Sequence, residues 1–560
     1  MRIGDGEIGG KARGLLLIRD ALDRNLDRLQ RPGVQVGIPT MTVITSTLFD
    51  AFLERNRLHE VAASDLPDER MAHAFQQADL PVELVGDLRA LTEEVRTPLA
   101  IRSSSLLEDA QFQPFAGVYA TKMIPNNQAD PNDRFRVLVE AIKYVYASTF
   151  FRDAKAYRQR VGERTGEKMG IVIQEVVGLR HFHRFYPDIS GVARSYNYYP
   201  VGHAQRDEGV VNLAHGLGKT IVDGGATWAY SPSQPRTPPP FASNRDLLKN
   251  TQSRFWAVNM GSAPEYDPLR ETEYLEQASL ADADLDGTLR YAASTYDPAS
   301  DRLIPGTGVE GPRALNFAPL LDVGEWPVND ILRELLRICE DTLEAPVEIE
   351  FAVTFDAKAE LPARIAFLQV RPMVVPGFRI EVDPHEFGDP DILVASDRVM
   401  GNGVLETIRD IVYVKPDDYD PARNAEIAKE AAAMNRRFLD EGRGYLLVGF
   451  GRWGSSDSWL GSPVTWGQIC GAHAIVEASL PSLPGDLSQG SHFFHNITSF
   501  GVPYFMVRHD SGGKIDWDWM KTLPVAGESP NLRHVTLEAP LTVKVDGRTG
   551  HGVIRRPTRG

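Results

Sequence analysis

The strongest constraint on how this chain folds lies at residues 347–372, "VEIEFAVTFDAKAELPARIAFLQVRP", which reads as two adjacent strands joined by a polar connection. Successive side chains of a strand point to opposite faces, so Gln369 and Arg371, two residues apart, share a surface. Glu350 on the partner strand is expected beside them. A carboxylate, an amide oxygen and a guanidinium together suit a Mg²⁺–polyphosphate group; an exposed strand face of mixed polar residues explains the same pattern. The helix-periodic segment "VNDILRELLRICEDTL" (328–343) leads directly into the pair.

The same kinds of element recur along the chain. "ARGLLLIRDALDRNLDRL" (12–29) follows a Gly-rich turn and puts Leu15, Ile18, Leu22 and Leu26 on one side of a helix. "VQVGIPTMTVITSTLFDAFLERN" leads from a strand into a second helix. Residues 133–160 read as helical, with Phe135, Leu138, Val139, Ile142 and Val145 forming an apolar face, and "KMGIVIQEVVG" (168–178) reads as a buried strand. The five prolines of "SPSQPRTPPPFASN" (231–244) predict an exposed loop or insertion. Pro372, Pro376 and "DPHEFGDP" (383–390) mark a boundary, followed by strands near 391–395 and 411–415 and a helix near 421–441. The expected class is α+β: an N-terminal unit over 1–378 with an insertion near 231–320, and a smaller C-terminal α/β unit over 385–560.

Composition narrows the function classes. The chain has 560 residues, too many for one ordinary core. No run of about 18 apolar residues occurs, so no membrane-spanning helix is expected. The start, "MRIGDGEIGGKARG", lacks an apolar signal core, and a cytoplasmic protein is predicted. Two cysteines, Cys339 and Cys470, exclude a disulfide framework and a Cys-rich zinc site. A formal charge of −16 argues against nonspecific binding to nucleic acid or an anionic membrane. A nucleotide can still bind where a few Lys and Arg are concentrated; a homo-oligomer is left open.

"GEIGGKARG" fails as a P-loop, because Ala12 follows Lys11 and Asp5 stands at the first Gly position. What remains is a turn, a lysine and a helix start, suited to a phosphate or simply a turn with a surface lysine. "LAIRSSSLLEDAQFQPFAGVYAT" (99–121) delivers Arg102 into three serines. A guanidinium fork with hydroxyls and free amides suits a polyphosphate; a structural arginine at a strand end is the other reading.

Taken in order, "GGKARG", "IRSSSLLEDAQFQPFAG", "IQEVVG…SGV", "HGLGKTIVDGG" and "EIEF…FLQVRP" resemble the N-terminal nucleotide-binding domain of the phosphoenolpyruvate synthase and pyruvate phosphate dikinase family, an ATP-grasp-type fold. The resemblance covers residues 3 to about 375. It implies ATP and Mg²⁺ as cofactors, with Lys11 and Arg102 on the nucleotide phosphates and Arg371 on the terminal ones. It places Gln174 and Glu175 near the adenine, and Glu350 and Gln369 on Mg²⁺. Lys219 stands where the family commonly has an acidic residue after "GLG".

In that family a swivelling phosphohistidine domain follows. "SHFFHNITSFGVPYF" keeps its nine-residue step from His492 to Gly501, although the family's "AAIVARE" has become "FFHNITS". His492 is therefore the candidate for carrying a phosphoryl group, with Gly490 and Ser491 beside it as donors; a structural histidine between phenylalanines is the alternative, and His495 the competing candidate. "GFGRWGSSDSWLGSPVTWGQ" (449–468) offers Arg452, Trp453, Ser455, Ser456 and Asp457 as a ligand-facing loop, with Trp453, Trp459 and Trp466 for stacking or for a small core. His181 and His183 read as a surface pair without a third metal ligand. The expectation is an ATP-dependent phosphotransferase acting through His492 on an unidentified small-molecule or protein acceptor. The alternatives are an ATP-binding regulatory or scaffold subunit, and a direct kinase with His492 structural.

Overall fold

The paired strands of 347–372 stand at the heart of the molecule. In the computed structural model, which describes residues 1–106, 108, 117–160, 167–200, 203–239, 241, 243–262, 264–373, 375, 380–455, 457–480, 493, 496–498, 500–510 and 512–557, Val347–Phe355 and Ala363–Pro372 run antiparallel. They lie within a six-stranded sheet ordered Trp228–Tyr230, Val210–Ala214, Ile189–Arg194, Val347–Phe355, Ala363–Pro372, Val34–Gly37. Helices Gly9–Arg24 and Val328–Leu343 supply its apolar cover, with Leu15, Ile18, Leu22, Leu332 and Leu335 sharing one core with Ile349, Phe351, Ile365 and Phe367.

Strict alternation would send Gln369 and Arg371 into that core behind Ile365 and Phe367. A bulge prevents this. Glu350 pairs with Gln369 while Phe351 pairs with Phe367, so Leu368 is the extra residue. The inserted residue changes the parity of the strand and turns Gln369 and Arg371 onto the face of Glu348 and Glu350.

A second, five-stranded sheet is ordered Arg2–Ile3, Met41–Ile44, Met169–Glu175, Leu99–Ser105, Thr121–Ile124. Phe49 and Phe52 of helix Ser46–Arg55, Phe75 of Asp68–Gln76, Leu84 of Val82–Glu94, and Leu138 and Tyr146 of Pro131–Ser148 bury against it. Two helices are shorter than their periodicity suggests. The first ends at Arg24 and Asn25 returns its N–H to Leu22, which leaves Leu26 54% exposed rather than on the apolar face. The segment expected as one helix over 133–160 is two, Pro131–Ser148 and Arg152–Arg160.

Beyond the short turn Pro384–Gly388 the chain builds a seven-stranded sheet. Its strands Asp410–Val414, Tyr445–Phe450, Ala472–Ala478 and Tyr504–Val507 are parallel neighbours. Helix Asn424–Asp440 makes the crossover between the first two. The C-terminal part docks on the N-terminal part through Thr465, whose hydroxyl donates to Asp153 at 2.6 Å, and through the Tyr157 and Phe500 rings at 5.2 Å. Arg452 adds a hydrogen bond to the Gly224 carbonyl at 3.0 Å. Arg555 in the last strand, His551–Arg555, gathers Glu386, Asp389 and Asp391 and so ties the connecting segment down. Among the described residues, no helix is long and apolar enough to cross a membrane.

Candidate functional site

The two sheets face one another across a cleft of about 620 Å³, within the range of small-molecule sites. Arg102 joins its walls. It projects from Leu99–Ser105 in one sheet and donates to Gln174 at 3.4 Å in the neighbouring strand. Across the gap it reaches the Leu368 carbonyl at 3.1 Å, Glu350 at 3.2 Å and the Gln369 amide oxygen. The bulge at Leu368 is what presents all three to it.

Behind Arg102 runs a row of charges along one face of the six-stranded sheet. Arg194, Glu348 and Arg371 stand abreast on three adjacent strands, as direct register partners. Glu348 accepts from Arg194 at 2.7 Å and pairs with Arg371 at 3.4 Å; Arg371 also pairs with Glu350 at 3.3 Å. The order is therefore Arg194, Glu348, Arg371, Glu350, Arg102. Burial of such charges is tolerated only with partners of opposite sign, and alternation provides them. Arg371 is 1% exposed and backs Glu350 rather than lining the cleft.

Lys11 is also set back from the cleft. Its ammonium is buried, bonded to Glu108 at 2.7 Å and to the Ser103 hydroxyl at 3.0 Å. Glu108 in turn accepts from the Ser105 amide, and Ser104 accepts from the Ala12 N–H while donating to the Ile8 carbonyl. The serine run thus clamps the start of the first helix. Gly9 shows how close this contact is: it has φ +76°, and a Cβ there would lie 1.8 Å from the Ser104 carbonyl oxygen.

Gln174 and Glu175 line the cleft, as do Arg102 and Glu350. The Gln174 Nε2 is buried with no hydrogen-bond partner among the described residues, a donor available to a ligand. Glu175 is oriented by the Thr97 hydroxyl at 2.6 Å. On the opposite wall Lys219 pairs with Asp223 at 3.1 Å and Glu271 at 3.8 Å. Burial alone would lower the Lys219 ammonium's pKa, but the two carboxylates outweigh it and hold it above the usual lysine value. Burial raises both carboxyls, opposed by Lys219. The loop carrying Lys219 is fixed by His215, which exchanges hydrogen bonds with Gln252 and meets the Asp188 carbonyl at 2.7 Å. Burial lowers its imidazole to about 4, so it is neutral near pH 7.

The C-terminal part closes the cleft with Gly454, Ser455, Val464, Trp466, Phe493 and Asn496. His492 and His495 lie outside the described residues, as do Gly490, Ser491 and Ser456. Of the three tryptophans weighed for stacking, Trp453 is fully buried, Trp466 forms cleft wall and Trp459 is 66% exposed. His183 faces Glu276 at 3.4 Å and His181 packs on Tyr186. No cluster of three His, Cys, Asp or Glu suited to a metal ion occurs among the described residues.

Sequence reasoning missed Glu108, Asp223 and Glu271. Glu108 stood within the serine motif and its role as the Lys11 partner was legible; Glu271 lies in "RETEYLEQ", which carries no pattern.

A protein described as the uncharacterized phosphotransferase YvkC of Bacillus subtilis (strain 168) is 28% identical over 204 residues, which is 36% of this chain and 22% of that protein. The match therefore spans about a fifth of that relative's length. Residues 6–386, more than half of the chain, match the AMP/ATP-binding domain of pyruvate phosphate dikinase. Both sheets that Arg102 joins across the cleft have strands within those residues, and the chain belongs to the pyruvate phosphate dikinase AMP/ATP-binding domain family.

Proposed function

We propose that this protein is an ATP-dependent phosphotransferase that passes a phosphoryl group from ATP through His492 to a separate acceptor. The observation that carries the reading is Arg102. A guanidinium held at the floor of a cleft between two sheets, with Gln174 and Glu175 on one side and Glu350 on the other, suits a polyphosphate and supports this reading. Membership in an AMP/ATP-binding family supplies the nucleotide.

Glu350 and Gln369 fit a hard cation: a carboxylate and an amide oxygen are register partners, both turned to Arg102. They would hold Mg²⁺, which neutralises phosphate charge when bound. Lys11 and Arg371 then act as buried supports, one for the serine turn and the other for Glu350. The Gln174 amide would donate to the base, and the Lys219, Asp223 and Glu271 group would meet the polar rim of the nucleotide. In the transfer itself a neutral ring nitrogen of His492 forms a bond to phosphorus as the P–O bond to the departing AMP breaks. Water then attacks the γ-phosphorus of the pyrophosphoryl group held on the histidine, the β–γ P–O bond breaks and phosphate leaves, and the remaining β-phosphoryl group passes to a nucleophilic oxygen of the acceptor as the N–P bond breaks.

The test is ATP labelled separately at the β and γ positions, incubated with the protein and Mg²⁺, for wild type and His492→Ala. AMP formation with acid-labile β label on the protein, both lost in the variant, is the expected result. ADP formation that persists in His492→Ala would replace the relay by direct transfer. Binding without turnover would leave a nucleotide-binding subunit, a reading favoured by Lys219 after "GLG", by the altered "FFHNITS" segment and by the mutual engagement of Arg102, Glu350 and Gln369.

A further inference from the structure

The parallel strands of the C-terminal sheet end along one edge. The loop that leaves Tyr445–Phe450 brings Gly454 and Ser455 into the cleft wall. The next two strands, Ala472–Ala478 and Tyr504–Val507, end beside it. Ala478 pairs with Val507, and its carbonyl accepts the Gly451 N–H at 3.0 Å. Two strand spacings, about 10 Å, separate the end of Tyr445–Phe450 from that of Tyr504–Val507. Ligands of open α/β sheets gather at such carboxyl ends.

His509 stands on this edge, two residues past Val507. Ser479, the residue after Ala478, is buried, and its N–H is spent on the Val507 carbonyl at 2.9 Å. The Ser479 hydroxyl oxygen accepts the His509 N–H at 2.9 Å and meets the His509 Nδ1 at 2.9 Å. One serine therefore fixes both the backbone and the ring of His509. The residue is exposed, and its Nε2 has no hydrogen-bond partner among the described residues. Asp510 does not claim the ring, because Arg508 grips that carboxylate by both oxygens and holds it below the usual carboxylate range. The other described histidines of this part are placed differently. His534 is buried on Asp410 at 2.8 Å, His473 stands at the amino end of its strand, and His551 belongs to another sheet. A hydroxyl accepts as well as donates, so Ser479 can hold Nδ1–H, and the lone pair of that tautomer lies on the exposed Nε2.

We propose that His509 is a phosphoryl-accepting residue, loaded from an N–P donor, with Ser479 as its positioning residue. The Nε2 lone pair forms the bond to phosphorus as the donor's N–P bond breaks. The ring keeps its proton on Nδ1, against the Ser479 oxygen. It gains the positive charge that the donor nitrogen gives up, so no other proton moves. Within the protein the donor is a phosphohistidine, and for that source alone the proposal rests on the phosphotransfer reading above.

The reactivity of the ring is tested without ATP. The full chain is treated with potassium phosphoramidate, and its peptides are mapped by mass spectrometry at alkaline pH, where N–P bonds survive. His509 should be labelled at least about fivefold faster than the exposed His59, His73, His203 and His385, the value of one neutral hydrogen bond. Ser479→Ala should bring His509 down to their rate and Ser479→Thr should restore it, with the other four unchanged in both variants. Labelling no faster than theirs, or unaffected by Ser479→Ala, would overturn the site. With ATP labelled at the β position and Mg²⁺ in place of phosphoramidate, the label is expected on His509 and lost in His492→Ala. ATP label that stops at His492 would overturn the passage to His509. Phosphoramidate label on His509 with no ATP label anywhere would keep the reactive site and overturn the phosphotransfer reading instead.

Discussion

Asp188 offers a sharp test of the electrostatics. Its carboxylate is buried immediately before strand Ile189–Arg194, where one oxygen accepts the Phe355 N–H at 2.9 Å. Burial pushes its pKa up from 3.8 to about 7. A carboxyl raised in this way favours the folded state only while protonated in both states, at low pH. As pH rises from about 4 toward 7 the unfolded chain ionises first and stability is lost. At about 1.36 kcal/mol for each tenfold change in proton affinity, the full loss is about 4 kcal/mol. Asp188→Asn keeps an oxygen for the Phe355 amide and removes the ionisation. The variant should therefore gain about 4 kcal/mol over wild type at pH 8 and less than about 2 kcal/mol at pH 5. Urea unfolding followed by circular dichroism at both pH values measures the difference. A difference of the same size at both values would show that Asp188 does not titrate in the folded protein as its burial requires.

Three further outcomes are expected. Arg102→Met should weaken ATP binding by about tenfold to a hundredfold, the value of one charge-assisted hydrogen bond; calorimetry showing an unchanged constant would detach Arg102 from the nucleotide. Glu348→Gln leaves Arg194 and Arg371 around a missing charge, and should cost about 3–5 kcal/mol in urea unfolding; a loss below about 1 kcal/mol would mean the row contributes little. Gly9→Ala combines a left-handed backbone with a Cβ 1.8 Å from a carbonyl oxygen, and should lower stability by more than about 2 kcal/mol. Wild-type melting of that variant would show that the helix start can shift.

Periodicity carried most of the architecture. The helix at 328–343 appears with those bounds, the strand at 169–175 falls inside its expected span, and the proline-rich loop follows a strand end. Local breaks escaped it. Asn25 ends the first helix where the apolar spacing continues to Leu26, because spacing reports which residues could be buried and not where the backbone turns. The site was legible in parts. Arg102, Gln174, Glu175 and Glu350 do line one cleft. Lys11 and Arg371 sit behind it, since the sequence shows charged residues near a motif but not the carboxylates, Glu108 and Glu348, that draw them inward. Alternation alone would also have put Gln369 on the wrong face; only the pairing register shows the extra residue at Leu368.

The engagement of Arg102 has a thermodynamic consequence. Its guanidinium is already satisfied by Gln174, Leu368, Glu350 and Gln369 before any ligand arrives. An incoming phosphate must therefore displace protein acceptors rather than meet a bare cation. With the phosphates placed on Arg102 as proposed, nucleotide binding is an exchange reaction, in which bonds to protein acceptors give way to bonds to phosphate. The heat of association should be small for so polar a ligand, and the walls should gain freedom to separate as the pin changes partners. In the ligand-free protein the two walls are thus latched through one side chain and four acceptors.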